Sequence, residues 1–147
     1  MVDVIVVGTD GSDRAQEAVT EAVRLGKALG ADLHILSAYH LAPRPRVPGA
    51  GEARPPLGDE EVDAILAEAA STVRLAGIEA FTHAVREDPA DALLAVAGQV
   101  GATMIVVGSK GMHGARRLAL GNVPKKVSHH AHCSVLIVAT GGDAARA

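Results

Sequence analysis

Several residue types on which protein function commonly rests are scarce in this chain. Of its 147 residues one is cysteine, Cys133, so an intrachain disulfide and a cysteine-rich zinc site are both excluded. Tryptophan is absent, and Tyr39 and Phe81 are the only tyrosine and phenylalanine. The stacking platforms that grip single-stranded nucleic acid are therefore missing, and no nucleic-acid partner is expected. No apolar run approaches the ~20 residues of a membrane span. The opening Met1-Val2-Asp3 places an acid where a secretory signal carries bases. A cytoplasmic protein without a membrane partner is expected. Acids are missing from one long stretch: residues 92–142 contain no Asp or Glu, whereas Lys110, Arg116, Arg117, Lys125 and Lys126 all fall within it. A basic, acid-free segment in a chain of net charge −3 suits a small anion better than a long polyanion.

What is present is the composition of one compact domain, 48 % hydrophobic and 21 % charged, assigned to residues 1–147 as a whole. A chain of this length buries roughly 70 % of its unfolded surface, enough for a core without metal or disulfide. Five short apolar runs rich in β-branched residues, 4–7, 33–39, 80–85, 104–107 and 135–138, read as strands. Between them apolar residues recur at helical spacing: Ala15, Ala18, Val19, Ala22, Gly26 and Leu29; Val62, Ile65, Leu66, Ala69, Val73 and Ala76; Ala90, Leu93, Leu94 and Ala97. Asp88 before Pro89 has the form of an N-cap with proline in the first turn, and Gly30 and Gly77 stand where helices should stop. Strand alternating with helix implies an α/β fold, a doubly wound parallel sheet with helices on both faces. Residues 41–58 hold five of the seven prolines and read as a connection or as a lid over the carboxyl edge of the sheet.

In such a sheet the ligand site lies beyond the carboxyl ends of the strands, where strand order reverses. Two segments fall there: Gly8-Thr9-Asp10-Gly11-Ser12 after the first strand, and Gly108-Ser109-Lys110-Gly111 after the fourth, running on to Gly121-Asn122-Val123-Pro124. Glycine lets backbone approach a phosphate, and amides at a helix start donate to it. Known phosphate loops do not fit. Gly108 to Gly114 is one residue too long for a P-loop, and the first turn does not match the dinucleotide fingerprint. Asp10 and Ser12 are equally suited to capping the first helix, and Asn122 to capping the one before the last strand. His129 and His132, three apart, invite a metal reading, but no carboxylate is near in sequence and a helix C-terminus accounts for them. Cys133 is expected to be a buried small apolar residue.

The spacing Gly108-x2-Gly111-x9-Gly121 after an apolar strand, with the opening strand ending in Thr9-Asp10-Gly11-Ser12, resembles the nucleotide-binding pattern of the universal stress protein family over essentially the whole chain. The resemblance implies strand order 3-2-1-4-5, a homodimer formed through the last strand, and a division into members that bind ATP and members that do not. It implies that Thr9, Asp10 and Gly11 lie near ribose and phosphates, with Mg beside Asp10 when ATP is bound. Ala38 would offer backbone to adenine; Val107, Gly108, Ser109 and Gly111 would wall the ribose and phosphates; Gly121, Asn122, Val123 and Pro124 would cradle them. The family pattern has Ser or Thr where this chain has Asn122, and Pro124 removes a backbone donor. A ligand with one phosphate loses less by these changes, so cyclic AMP stands beside ATP. The reading is a regulatory adenine-nucleotide-binding protein of the stress response, with weak ATP hydrolysis as its most activity and its protein partner unidentified. Its rivals are a family member that works only as an interaction dimer and an ATP-dependent α-hydrolase-type enzyme. The enzyme would need a Ser-Gly-Gly-x-Asp-Ser loop, which Thr9 to Asp13 do not supply.

Overall fold

The structure is a computed structural model and describes residues 2–39, 59–109 and 120–140. Five strands alternate with four helices: β1 (Val4–Gly8), α1 (Asp13–Leu29), β2 (Asp32–Ala38), α2 (Asp59–Leu75), β3 (Ala80–Val85), α3 (Pro89–Val100), β4 (Met104–Gly108), α4 (Asn122–His130) and β5 (Ser134–Val138). All strand pairs are parallel, in the order β3-β2-β1-β4-β5. The expected doubly wound α/β sheet and its strand order are therefore present. Residues 41–58, read as a connection or lid, lie outside the described residues, as do Lys110, Gly111, Arg116 and Arg117.

The alternation of side chains along a strand explains why the central runs are apolar throughout. Ile5 and Val7 of β1 join Leu33, Ile35 and Val106 beneath α1 and α2, among Val19, Ala22, Val62, Leu66 and Val73. Val6 points the other way and joins Leu36, Ile105 and Val107 beneath α3 and α4, among Leu93, Val96 and Val127. β5 closes the sheet less completely, since its four apolar residues are only partly buried. Cys133, expected to be buried, is half-buried, because it enters this thinly covered outer strand. Burial still raises its thiol above the usual range, which keeps it protonated and unreactive.

Side-chain caps fix where α1 and α3 begin. Ser12 accepts from the Ala15 amide at 3.2 Å, and Asp88 accepts from the Asp91 amide at 3.2 Å with Pro89 opening α3. The cap of α4 is Gly121 rather than Asn122: its backbone is extended while its carbonyl already accepts from the Lys125 amide, which makes Asn122 the first helical residue. Gly26 in α1 is a packing requirement. A Cβ there would sit 2.8 Å from Leu33 Cδ1 and 3.2 Å from Ile78 Cδ1, whereas Gly98 in α3 has open space around it.

Towards the β3 edge the face that carries α3 presents His34, Phe81 and His83. His34 Nδ1 lies 2.8 Å from His83 Nε2, and Phe81 stacks on His34 with ring centroids 4.6 Å apart. Burial lowers the pKa of both histidines below the usual 6.5, and the two charges would also oppose one another.

Two outcomes are expected. Gly26→Val should destabilise the fold by about 1–3 kcal/mol through overpacking, whereas Gly98→Ala should stabilise it by roughly 0.5–1 kcal/mol through helix propensity; urea titration compares them. Because the native histidines resist protons that the unfolded chain accepts, stability should fall as pH drops below 6.5. Thermal melts between pH 7.5 and 5.5, conditions chosen on the order of one unit to each side of that value, should show a shallower slope for His34→Gln combined with His83→Gln.

Candidate functional site

The chain leaves β1 into α1 and leaves β4 towards α4 on opposite sides of the sheet, and a cavity of about 480 Å³ opens between these two exits. Its first wall is the turn after β1. Thr9 holds the strand end by donating from its amide to the Leu36 carbonyl at 2.8 Å, and its Oγ1 accepts from the Gly11 amide at 3.1 Å. Asp10 Oδ1 accepts from the Ser12 amide at 2.9 Å, an Asx turn that aims the following helix. Gly11 takes φ +81°, and a Cβ there would approach Ile65 Cγ1 to 2.9 Å. Only glycine suits that position, where α2 presses on the turn.

The opposite wall comes from the ends of β4 and β5 and the start of α4. Ser109 is buried; its Oγ accepts from the Thr140 amide at 2.9 Å, and its own amide donates to the Val138 carbonyl at 2.8 Å. Its carbonyl accepts from the Gly121 amide at 3.2 Å. Ser109 thereby ties the ends of β4 and β5 to Gly121, the cap of α4. At the surface, Lys126 Nζ reaches Asp91 Oδ1 at 2.8 Å and Asp88 Oδ2 at 3.8 Å, joining the middle of α4 to the start of α3. This exposed pair raises the lysine pKa, chiefly through its hydrogen bond to Asp91.

Of the residues singled out in sequence, Thr9, Asp10, Ala38, Val107, Gly108, Val123 and Pro124 line the cavity together. Gly11, Ser109, Gly121 and Asn122 are not among its described lining; the first three shape the walls from behind. Gly111 lies outside the described residues. The lining also includes Gly8, Leu36, Pro89, Leu93 and Thr140, together with Asp13, Arg14 and Ala15 from the first turn of α1. Arg14 had a legible signal: a base in a first helical turn opposes the macrodipole, so its position asks for another reason. Leu93 had none, because it reads as one more core residue of α3.

The floor is apolar, formed by Ala15, Ala18, Leu36, Leu93 and Val107, and the rim carries Asp10, Asp13 and Arg14. An apolar floor with a few polar groups at one end accommodates a flat heterocycle with a charged appendage. The described lining carries the hydroxyls of Thr9, Ser12 and Thr140 and the carboxylates of Asp10 and Asp13, with no histidine, cysteine or lysine. Among the described residues no three His, Cys, Asp or Glu side chains gather as a metal cage, and no helix is long and apolar enough to cross a membrane.

A parallel sheet in this order, with its cavity at the point of reversal, defines a doubly wound α/β domain with a ligand-type cleft at the switch point. The universal stress protein family model matches residues 1–139, and the chain belongs to that family. It is 35 % identical over 140 residues to universal stress protein Rv1636 of Mycobacterium tuberculosis, covering 92 % of this chain and 95 % of that one. It is 33 % identical over 148 residues to universal stress protein YxiE of Bacillus subtilis, covering 94 % and 99 %. Among solved structures, a universal stress protein in complex with cAMP superposes with a TM-score of 0.74 at 34 % identity, covering 95 % of this chain and 98 % of that one.

The Ser109 linkage yields a direct test. Ser109→Ala leaves the buried Thr140 amide without its acceptor and should cost about 1–3 kcal/mol of stability. Chemical denaturation measures this, and no change would mean that another group accepts from Thr140.

Proposed function

We propose that this protein binds an adenine nucleotide in the cavity between the ends of β1 and β4, and that the bound state regulates a protein partner rather than driving a reaction. The observation that carries the reading is the cavity itself. Its volume falls within the range of about 300–1,000 Å³ typical of small-molecule sites, and it combines an apolar floor with a polar rim. The 34 % identical structure in complex with cAMP supports the same ligand class. The base would lie on the Leu36, Leu93 and Val107 side with Ala38 backbone at its edge, and phosphate would lie towards Thr9, Gly108 and Val123. Arg14 would add charge attraction at the rim.

The start of α4 favours cyclic AMP over ATP. Pro124 has no amide hydrogen, and the Gly121 amide already donates to the Ser109 carbonyl. A triphosphate needs more donors than a cyclic monophosphate, and each one missing costs about 1 kcal/mol or more. If ATP is the ligand, Asp10 would hold its Mg. The same features favour the second reading, an interaction dimer without nucleotide. A cytoplasmic setting belongs to the proposal, as does a homodimer through β5. That strand is an outer strand with a partly exposed row of Val135, Leu136, Ile137 and Val138, and a bare apolar edge is normally paired.

Calorimetry with cyclic AMP, ATP and GTP is expected to show cyclic AMP bound at least as tightly as ATP, with GTP weaker than both. Ala15→Leu, which fills the floor from a helix that tolerates leucine, should weaken cyclic AMP by at least about tenfold. Absence of heat with any nucleotide would leave the interaction dimer. Light scattering at micromolar concentration is expected to give twice the chain mass, and a monomer would contradict the pairing through β5.

A further inference from the structure

A second cluster lies away from the cavity, where residues 34 and 36 of β2 and 81, 83 and 85 of β3 share one face of the sheet. α3 packs over β1, β2 and β4, so the β3 side of this face is less covered, and Phe81 is 41 % exposed. His34 pairs in register with Phe81, and Leu36 with His83, which sets the two histidines one diagonal step apart on adjacent strands. Their nearest ring nitrogens are 2.8 Å apart, with ring centroids at 5.1 Å and planes at 26°. The stacked Phe81 ring limits the movement of His34.

Burial disfavours the charged form of both imidazoles, and the neutral ring is the metal-binding form. Only one proton can lie between the facing nitrogens, so one donates and the other accepts. Freeing both nitrogens for a metal needs no net loss of a proton. The donating ring exchanges tautomers, its proton passing by way of solvent to its other nitrogen. A modest χ2 rotation, a soft torsion for histidine, then turns both lone pairs towards one point.

Imidazole donors hold Cu(II) most tightly among the divalent first-row ions. With metal–nitrogen bonds of 2.0–2.1 Å, two ligands at 90° lie about 2.8–3.0 Å apart, and two at the tetrahedral angle lie about 3.3–3.4 Å apart. The 2.8 Å between the two nitrogens is the length of the hydrogen bond that the ion would replace, and it already brings both within reach of one ion. Tetragonal nitrogen and oxygen sites belong to Cu(II) and Ni(II). Asp32, two residues before His34 on the same strand face, acts on that ring in the sense that favours positive charge. No third His, Cys, Asp or Glu among the described residues completes a cage, so water would fill the remaining positions.

We propose that His34 and His83 form a two-histidine site for a divalent transition-metal ion of the Cu(II) and Ni(II) class on the open side of β3. The site is independent of nucleotide binding. The test is a titration of the full chain with Cu(II) in a citrate-containing buffer, whose oxygen donors compete for weak sites without adding nitrogen, followed by calorimetry and electron paramagnetic resonance. One equivalent is expected, with hyperfine splitting from two nitrogens. His34→Gln and His83→Gln, which keep side-chain size and hydrogen bonding, should each lower the affinity by about 100-fold or more, the advantage of two tethered ligands over one. A variant with His129, His130 and His132 all changed to alanine should bind Cu(II) as the unaltered protein does. The proposal is overturned if the double glutamine variant keeps the tight equivalent, if the triple alanine variant loses it, or if the unaltered protein shows fewer than two nitrogens on the ion. The last outcome is read on the native chain and does not depend on any variant folding.

Discussion

The pairing of β1 between β2 and β4 is the constraint on which the rest of this molecule depends. From β1 the chain builds outward through β2 and β3 in one direction, then crosses back to place β4 and β5 on the other side. Parallel strands joined by right-handed crossovers put α1 and α2 on one face and α3 and α4 on the other. The connections leaving β1 and β4 must therefore diverge. The cavity is the space their divergence leaves, which is why its lining comes from every strand end near the centre of the sheet.

That space is held open by polar fixings rather than by apolar packing alone. Thr9 and Asp10 hold the turn before α1, and Ser109 ties β4, β5 and the start of α4 to one another. Lys126 bridges the start of α3 and the middle of α4 at the surface. Buried hydrogen bonds fix direction in a way that apolar contacts do not, since an unmet buried amide costs about 1–3 kcal/mol. The Ser109 linkage is buried and matters accordingly; the exposed Lys126 pair is weaker and mainly orients.

The two ends of the sheet differ in kind. β5 offers a partly covered apolar row, while β3 offers an aromatic and imidazole cluster under thin cover. An apolar row gains from a second protein surface. A pair of neutral imidazoles offers lone pairs to a metal ion, so the two edges suit different partners.

Much of this was legible from residue pattern. Apolar runs located all five strands to within a residue and helical spacing located α1, α2 and α3, because burial on both faces leaves a parallel strand little freedom in composition. Asp88-Pro89 and Gly30 marked helix ends because capping is a local interaction. Of the glycines singled out around the ends of β1 and β4, Gly8 and Gly108 line the candidate cavity, where close backbone approach leaves few other choices. Which of those residues face the cavity was not legible: Gly11 serves the packing of Ile65 and Ser109 turns towards Thr140, while Pro89 and Leu93 reach the lining from a distant part of the chain. The histidine pair was equally hidden, because 49 residues separate His34 from His83. The sequence by itself determined the elements, through periodicities that act over a few residues; the tertiary structure alone decided the neighbours, because strand register and crossover bring together side chains that no local pattern relates.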